Sequence, residues 1–181
     1  MDFFSSEEIV ASLGDKAKMK GKLSFVRLCI LGIMAGFCIA LGYLAFIRIT
    51  GTAPTEWGSF NNFLGGALFP VGLIALTFVG GELATGNMMV MTLGVLQKKV
   101  RVGALCYNWL VVLLTNCLGG FLVAYLFGHI VGLTEGAFLD KTVAVAQAKI
   151  ADPPLVAFVS GIGCNIFVCL AVYLGALAKS Y

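Results

Sequence analysis

Charge is scarce in this sequence. Asp, Glu, Lys and Arg make up 12% of its 181 residues and hydrophobic residues 60%. A soluble domain carries about 25% charged residues. A water-soluble globular fold is therefore excluded, and long apolar runs at spanning length point to an all-α integral membrane protein. Histidine occurs once, as His129, and the six cysteines (Cys29, Cys38, Cys106, Cys117, Cys164, Cys169) all lie in apolar segments. No CxxC pair or Cys/His cluster of metal-ligand spacing occurs among them, so they read as small buried hydrophobes. No disulfide, metal or cofactor is expected. There is no nucleophile–base pair either, which argues against an enzyme. The net charge of +3 is weak, and no nucleic-acid partner is expected. The first residues are acidic and mixed, without a basic region leading into an apolar one, so no cleavable signal peptide is expected.

What is present is apolar length. Residues 1–22 form a polar N-terminal segment, and residues 23–181 a transmembrane domain with spans predicted at about 24–49, 63–97, 103–131 and 155–178. Ser5 and Glu8 have the spacing of a capping box. Ile9, Val10, Leu13 and Ala17 then recur at helical spacing, predicting a short amphipathic helix on the membrane surface or against the bundle, an anchor or a gate. Nine of the twelve basic residues (Lys16, Lys18, Lys20, Lys22, Arg27, Lys98, Lys99, Arg101 and Lys179) fall on one side, against Arg48, Lys141 and Lys149 on the other. The N-terminus and Tyr181 are therefore expected to be cytoplasmic. Gly32 and Gly36 form a GxxxG helix-packing face, with Ala35 and Gly42 nearby. Trp109 fits an interfacial anchor and Asn116 an interhelical link. The segment from Gly132 to Pro154 reads as an external loop, with Pro153-Pro154 opening the fourth span.

The second run is the anomaly. As one helix, residues 63–97 would extend roughly 52 Å, against a hydrocarbon core of about 30 Å. Its middle reads Gly80-Gly81-Glu82-Leu83-Ala84-Thr85-Gly86-Asn87, poor helix interior and good turn chemistry. Non-helical backbone at membrane depth is tolerated only inside protein or along a wet cavity. A carboxylate there must be paired or hydrogen-bonded. Broken helices are where many transporters bind their ions, which makes this stretch the expected permeation site. A weak echo, Cys38-Ile-Ala-Leu in span one and Cys169-Leu-Ala-Val in span four, has the relation of an inverted repeat.

Phe69-Pro-Val-Gly-Leu73, Gly81-Glu82-Leu83-Ala84-Thr85-Gly86-Asn87, Asn108-Trp109, Lys149 and the run Gly163-Cys164-Asn165 to Val172 together resemble the formate/nitrite transporter family, in order and over nearly the whole chain. The resemblance implies an aquaporin-like fold of six spans in inverted halves, with a broken second transmembrane helix. It also implies a homopentamer in the bilayer of a prokaryotic inner membrane, each protomer conducting small monovalent anions such as formate, nitrite or hydrosulfide. By position, Phe69, Leu73 and Leu83 resemble the pore constrictions, and Thr85 the loop residue facing the pore centre. Asn165 resembles a polar residue lining the path, and Lys149 the external lysine that attracts anions.

Against that pattern the chain ends just after its fourth span, so it is expected to lack the C-terminal third and the pore histidine carried there; His129 does not match that place and reads as structural or interfacial. Glu82, Gly86 and Asn87 are expected to brace the loop, Glu82 by accepting backbone N–H bonds, since an anion pore should not expose a carboxylate. Asn165 is open between helix contact and pore lining. The expected function is an anion channel. The alternatives are a neutral-solute pore, although the paired Asn-Pro-Ala motifs of such pores are missing, or a non-conducting scaffold.

Overall fold

The computed structural model describes residues 4–177. Helices are numbered in chain order. The capping box closes on α1 (Ser6–Lys20): Ser5 N donates to Glu8 Oε2 at 2.7 Å and Glu8 N to Ser5 Oγ at 3.3 Å. The stripe Ile9, Leu13 and Ala17 is fully buried with Val90, Met91 and Leu105, so the amphipathic helix lies against the bundle. Val10 is left at the surface, although its carbonyl accepts from Gln97 Nε2 at 2.7 Å. Lys99 Nζ adds 2.8 Å to Asp15 and 3.2 Å to the Ala11 carbonyl.

Among the described residues, four helical segments have the length and hydropathy to cross a membrane: Phe25–Thr50, Ser59–Val79, Val102–Ile130 and Pro154–Leu177. The first is α2 (Phe25–Thr50), capped by Ser24. The second comprises α3 (Ser59–Leu68) and α4 (Pro70–Val79) and starts earlier than the sequence suggested. The third is α6 (Val102–Val123), continued by Ala124–Ile130, which winds as a π-helix. The fourth is α8 (Pro154–Leu177), opening at the Pro-Pro pair as expected.

The packing of α2 on α6 depends on missing side chains. A Cβ added at Gly36 would run into the backbone of Asn116, and one at Gly119 into the Ile33 carbonyl. The GxxxG face is therefore a helix-packing surface, as the small residues implied. In the same way Gly72 of α4 lies against the Cys38 carbonyl of α2.

One expectation fails. The stretch from Gly132 to Pro154 is not simply a loop: it contains α7 (Leu139–Ala151), none of whose residues is buried. The run Ala144, Ala146, Gln147, Ala148 and Lys149 is made of strong helix formers, and their propensity outweighs the lack of a packing face. At this end Arg48 donates to the Leu133 carbonyl at 3.3 Å and lies 3.6 Å from the Phe138 ring centre. Exposed His129 pairs with Glu135 at 3.0 Å, a surface contact away from the helix break.

Candidate functional site at the helix break

The second span breaks where the glycines are, but the break is shorter than the composition implied. α4 ends at Gly80, whose φ of 73° lies in the left-handed region that a residue with a Cβ avoids. α5 (Ala84–Leu96) starts at Ala84, so Thr85, Gly86 and Asn87 belong to a helical first turn and not to the loop. The non-helical backbone is confined to Gly81–Leu83, and most of its polar groups have partners. Gly81 N donates to the Leu76 carbonyl at 2.9 Å and Glu82 N to the Leu31 carbonyl at 3.1 Å. Asn116 of α6 adds three more bonds around the break. Its amide nitrogen donates to the Gly32 carbonyl at 2.8 Å and the Glu82 carbonyl at 2.9 Å, and its oxygen accepts from Ala84 N at 2.9 Å. One asparagine thus joins α2, the break and α5, and pairs backbone groups that the break would otherwise leave unbonded.

Glu82 is 4% exposed and braces the break, though through side chains and not backbone N–H groups. Lys20, in the last turn of α1, reaches its Oε1 at 2.6 Å, and Asn87 Nδ2 its Oε2 at 2.7 Å. Asn87 Nδ2 also reaches Asn108 Oδ1 at 2.9 Å, while its carbonyl accepts from Trp109 Nε1 at 3.3 Å. Trp109 therefore braces α5. A carboxylate this buried requires such pairing, and Lys20 supplies the compensating charge.

Two cavities meet the break. One, of about 230 Å³, is lined by Lys16 and Lys20 of α1, Leu73 of α4, Leu83, Asn87 and Val172 of α8, among others. The second, about 480 Å³ and almost wholly apolar, lies between α2 and α6, with Tyr43, Asn116 and Thr134 in its wall. Leu83 lines both. Just past it, the buried Thr85 hydroxyl has no hydrogen-bond partner, and the Thr85 carbonyl lies 4.0 Å from Cys169 Sγ on α8. One turn earlier on α8, Asn165 spends its amide nitrogen on the Gly161 carbonyl at 2.9 Å and leaves its buried oxygen unpartnered.

Leu73 and Leu83 are thus brought to one cavity, and α8 brings Asn165 within a turn of the residue touching Thr85. Gly86 provides the close approach: a Cβ there would meet Val172 at 3.4 Å. Phe69 sits at the α3–α4 junction, its ring edge-on to Tyr43 at 5.8 Å, one turn before Leu73. Lys149 lies exposed on α7, and no contact ties it to either cavity. Sequence reasoning missed Lys20 as a site residue, though a signal existed. It continues the buried stripe Ile9, Leu13, Ala17 at helical spacing, and Glu82 is the one acidic residue inside the second span.

A family model described as "Formate/nitrite transporter" matches residues 7–181. The chain is 46% identical over 175 residues to the uncharacterized transporter YrhG of Bacillus subtilis (strain 168), covering 96% of this chain and 66% of that protein. It is 41% identical over 174 residues to the formate channel BtFdhC of Bacillus thuringiensis, with 96% and 67% covered. It therefore spans about two thirds of the length of these relatives. Among solved structures, an FNT family ion channel superposes with a TM-score of 0.89 at 25% identity, over 96% of this chain and 70% of that one. The all-helical fold, the broken second span and these likenesses agree: the chain belongs to the formate/nitrite transporter family.

Proposed function

We propose that this chain forms a passage for small monovalent anions, formate first and also nitrite or hydrosulfide, through the break in its second span. The observation that carries the reading is Leu83, a single apolar side chain in the walls of two cavities, with an unpartnered threonine hydroxyl immediately beyond it. A narrow apolar ring strips water and rejects larger or multiply charged ions. The free hydroxyl donates one hydrogen bond to a partly dehydrated oxyanion. Lys16 makes the α1-side cavity attractive to anions, and Lys20 masks the Glu82 charge that would repel them. Lys149, exposed on α7, raises local anion concentration at the other face. Phe69, Leu73 and Asn165 complete the path on the α4 and α8 sides. The working assembly is a homopentamer in a prokaryotic inner membrane, with α1 on the cytoplasmic face.

Relatives named as formate channels support formate as the first substrate. The test is flux into liposomes reconstituted with the chain, offering formate, nitrite, hydrosulfide and glycerol in parallel, with Thr85→Ala beside it. Anion entry without glycerol entry supports the reading, and Thr85→Ala should lower anion flux or alter the order of anions. Glycerol entry would favour a neutral-solute pore. Unchanged rates and order in Thr85→Ala would remove Thr85 from the path.

A further inference from the structure

We propose that the end of the bundle where α1 joins α2 binds anionic phospholipid headgroups, through a collar of Lys18, Lys22, Arg27, Lys98 and Arg101. This inference rests on the membrane-spanning fold and not on conduction. At this end Lys20 is neutralised by Glu82 and Lys99 by Asp15, whereas the five collar residues are exposed and enter no ion pair among the described residues. The chain offers them little counter-charge: Asp15, one turn before Lys18, acts on it but is already bonded to Lys99. From Lys16 to Arg101 its acidic residues are Glu56, on the opposite side of the bundle, and Glu82, already paired and buried.

The collar is drawn together by two turns that touch. A Cβ built on Gly21, in the α1–α2 turn, would lie 3.8 Å from Val100 of the α5–α6 turn. The adjacent residues in these turns are Lys22 and Arg101. Arg27 lies in the first turn of α2 and Arg101 at the N-cap of α6, and neither first turn contains an acidic residue. Cations at helix N-termini oppose the macrodipole, and an incoming phosphate offsets that penalty as well as the repulsion within the collar.

Apolar side chains decide the kind of partner. Met19, Phe25, Val26 and Val102 stand beside these cations and are each 60% exposed or more. A soluble anion would cover the charges and leave the apolar surface in water. A phospholipid covers both, with its phosphate on the cations and its acyl chains along Phe25, Val26 and Val102.

The experiment is lipid exchange on the purified chain, following phosphatidylglycerol and phosphatidylcholine of matched acyl chains by native mass spectrometry at low and high salt. Phosphatidylglycerol should be retained in preference, less so at high salt. The combined substitution Lys22→Gln, Arg27→Gln and Arg101→Gln should lower that retention by about fivefold or more, while Lys141→Gln with Lys149→Gln should not. Lys22→Arg, Arg27→Lys and Arg101→Lys together preserve charge and should keep the preference. Equal retention of the two lipids overturns the proposal. So does a preference indifferent to salt, or one that survives the triple Gln substitution. Displacement of phosphatidylglycerol by millimolar inorganic phosphate would also overturn it, by marking a site for free phosphate.

Discussion

At the level of single residues, Lys20 and Glu82 are the pair on which the break depends. Removing Lys20 leaves a carboxylate that is 4% exposed with Asn87 as its remaining side-chain partner. Lys20→Ala should therefore destabilise the chain by about 2 kcal/mol, below the range for fully buried pairs because Lys20 is partly solvated. The double substitution Lys20→Met with Glu82→Gln should recover most of that loss, and thermal unfolding in detergent measures both. A double variant as unstable as Lys20→Ala would show that the ion pair is not what the site requires. Glu82 was legible as a braced carboxylate, because a charge at membrane depth must be paired. Its partner was not, because Lys20 is remote in sequence and counted only towards the positive side of the topology. Whether Thr85 and Asn165 have hydrogen-bond partners could not be read from sequence either, since it depends on how α5 and α8 approach.

At the level of elements, apolar length and glycine pattern gave the four spans to within a few residues, and the glycine pair located the break. The extent of the break was overestimated because Thr85, Gly86 and Asn87 have poor helix propensity. Tertiary bonds override it: Asn116 accepts from the first amide of α5, and Asn87 is held by Glu82 and Asn108. α7 was missed for the opposite reason, because its propensity is strong while its position reads as a connection. The α2–α6 seam supports a sharp expectation. Gly36→Ala, which forces a methyl into the Asn116 backbone, should cost about 1–3 kcal/mol. Gly66→Ala, where the space is open, should be neutral or slightly stabilising. Equal effects at the two positions would contradict the packing described.

The docking of α1 has a predictable pH dependence. The Lys99 hydrogen bond, then its charge, hold the Asp15 carboxyl below its ordinary 3.8. A carboxyl held low in the folded chain contributes fully above the ordinary value and loses that contribution as pH falls through the folded one. Hydrogen-exchange protection of α1 should therefore weaken below about pH 3.8, a window set by that downward shift. Asp15→Asn should already be less protected at neutral pH. Equal protection of the two proteins at pH 7 would remove this pair from the docking.

At the level of the whole molecule, α1, the broken helix and α8 converge on one cavity, while α2 and α6 enclose another. The two share Leu83. The most direct test of this arrangement is anion flux through a Leu83 size series in liposomes, comparing Leu83→Ala and Leu83→Trp with the parent for formate and for a larger monovalent anion such as lactate. If Leu83 is the constriction, Leu83→Ala raises formate flux and admits lactate, and Leu83→Trp suppresses both. Identical rates and selectivity across the three proteins would contradict the account and move the passage away from the helix break.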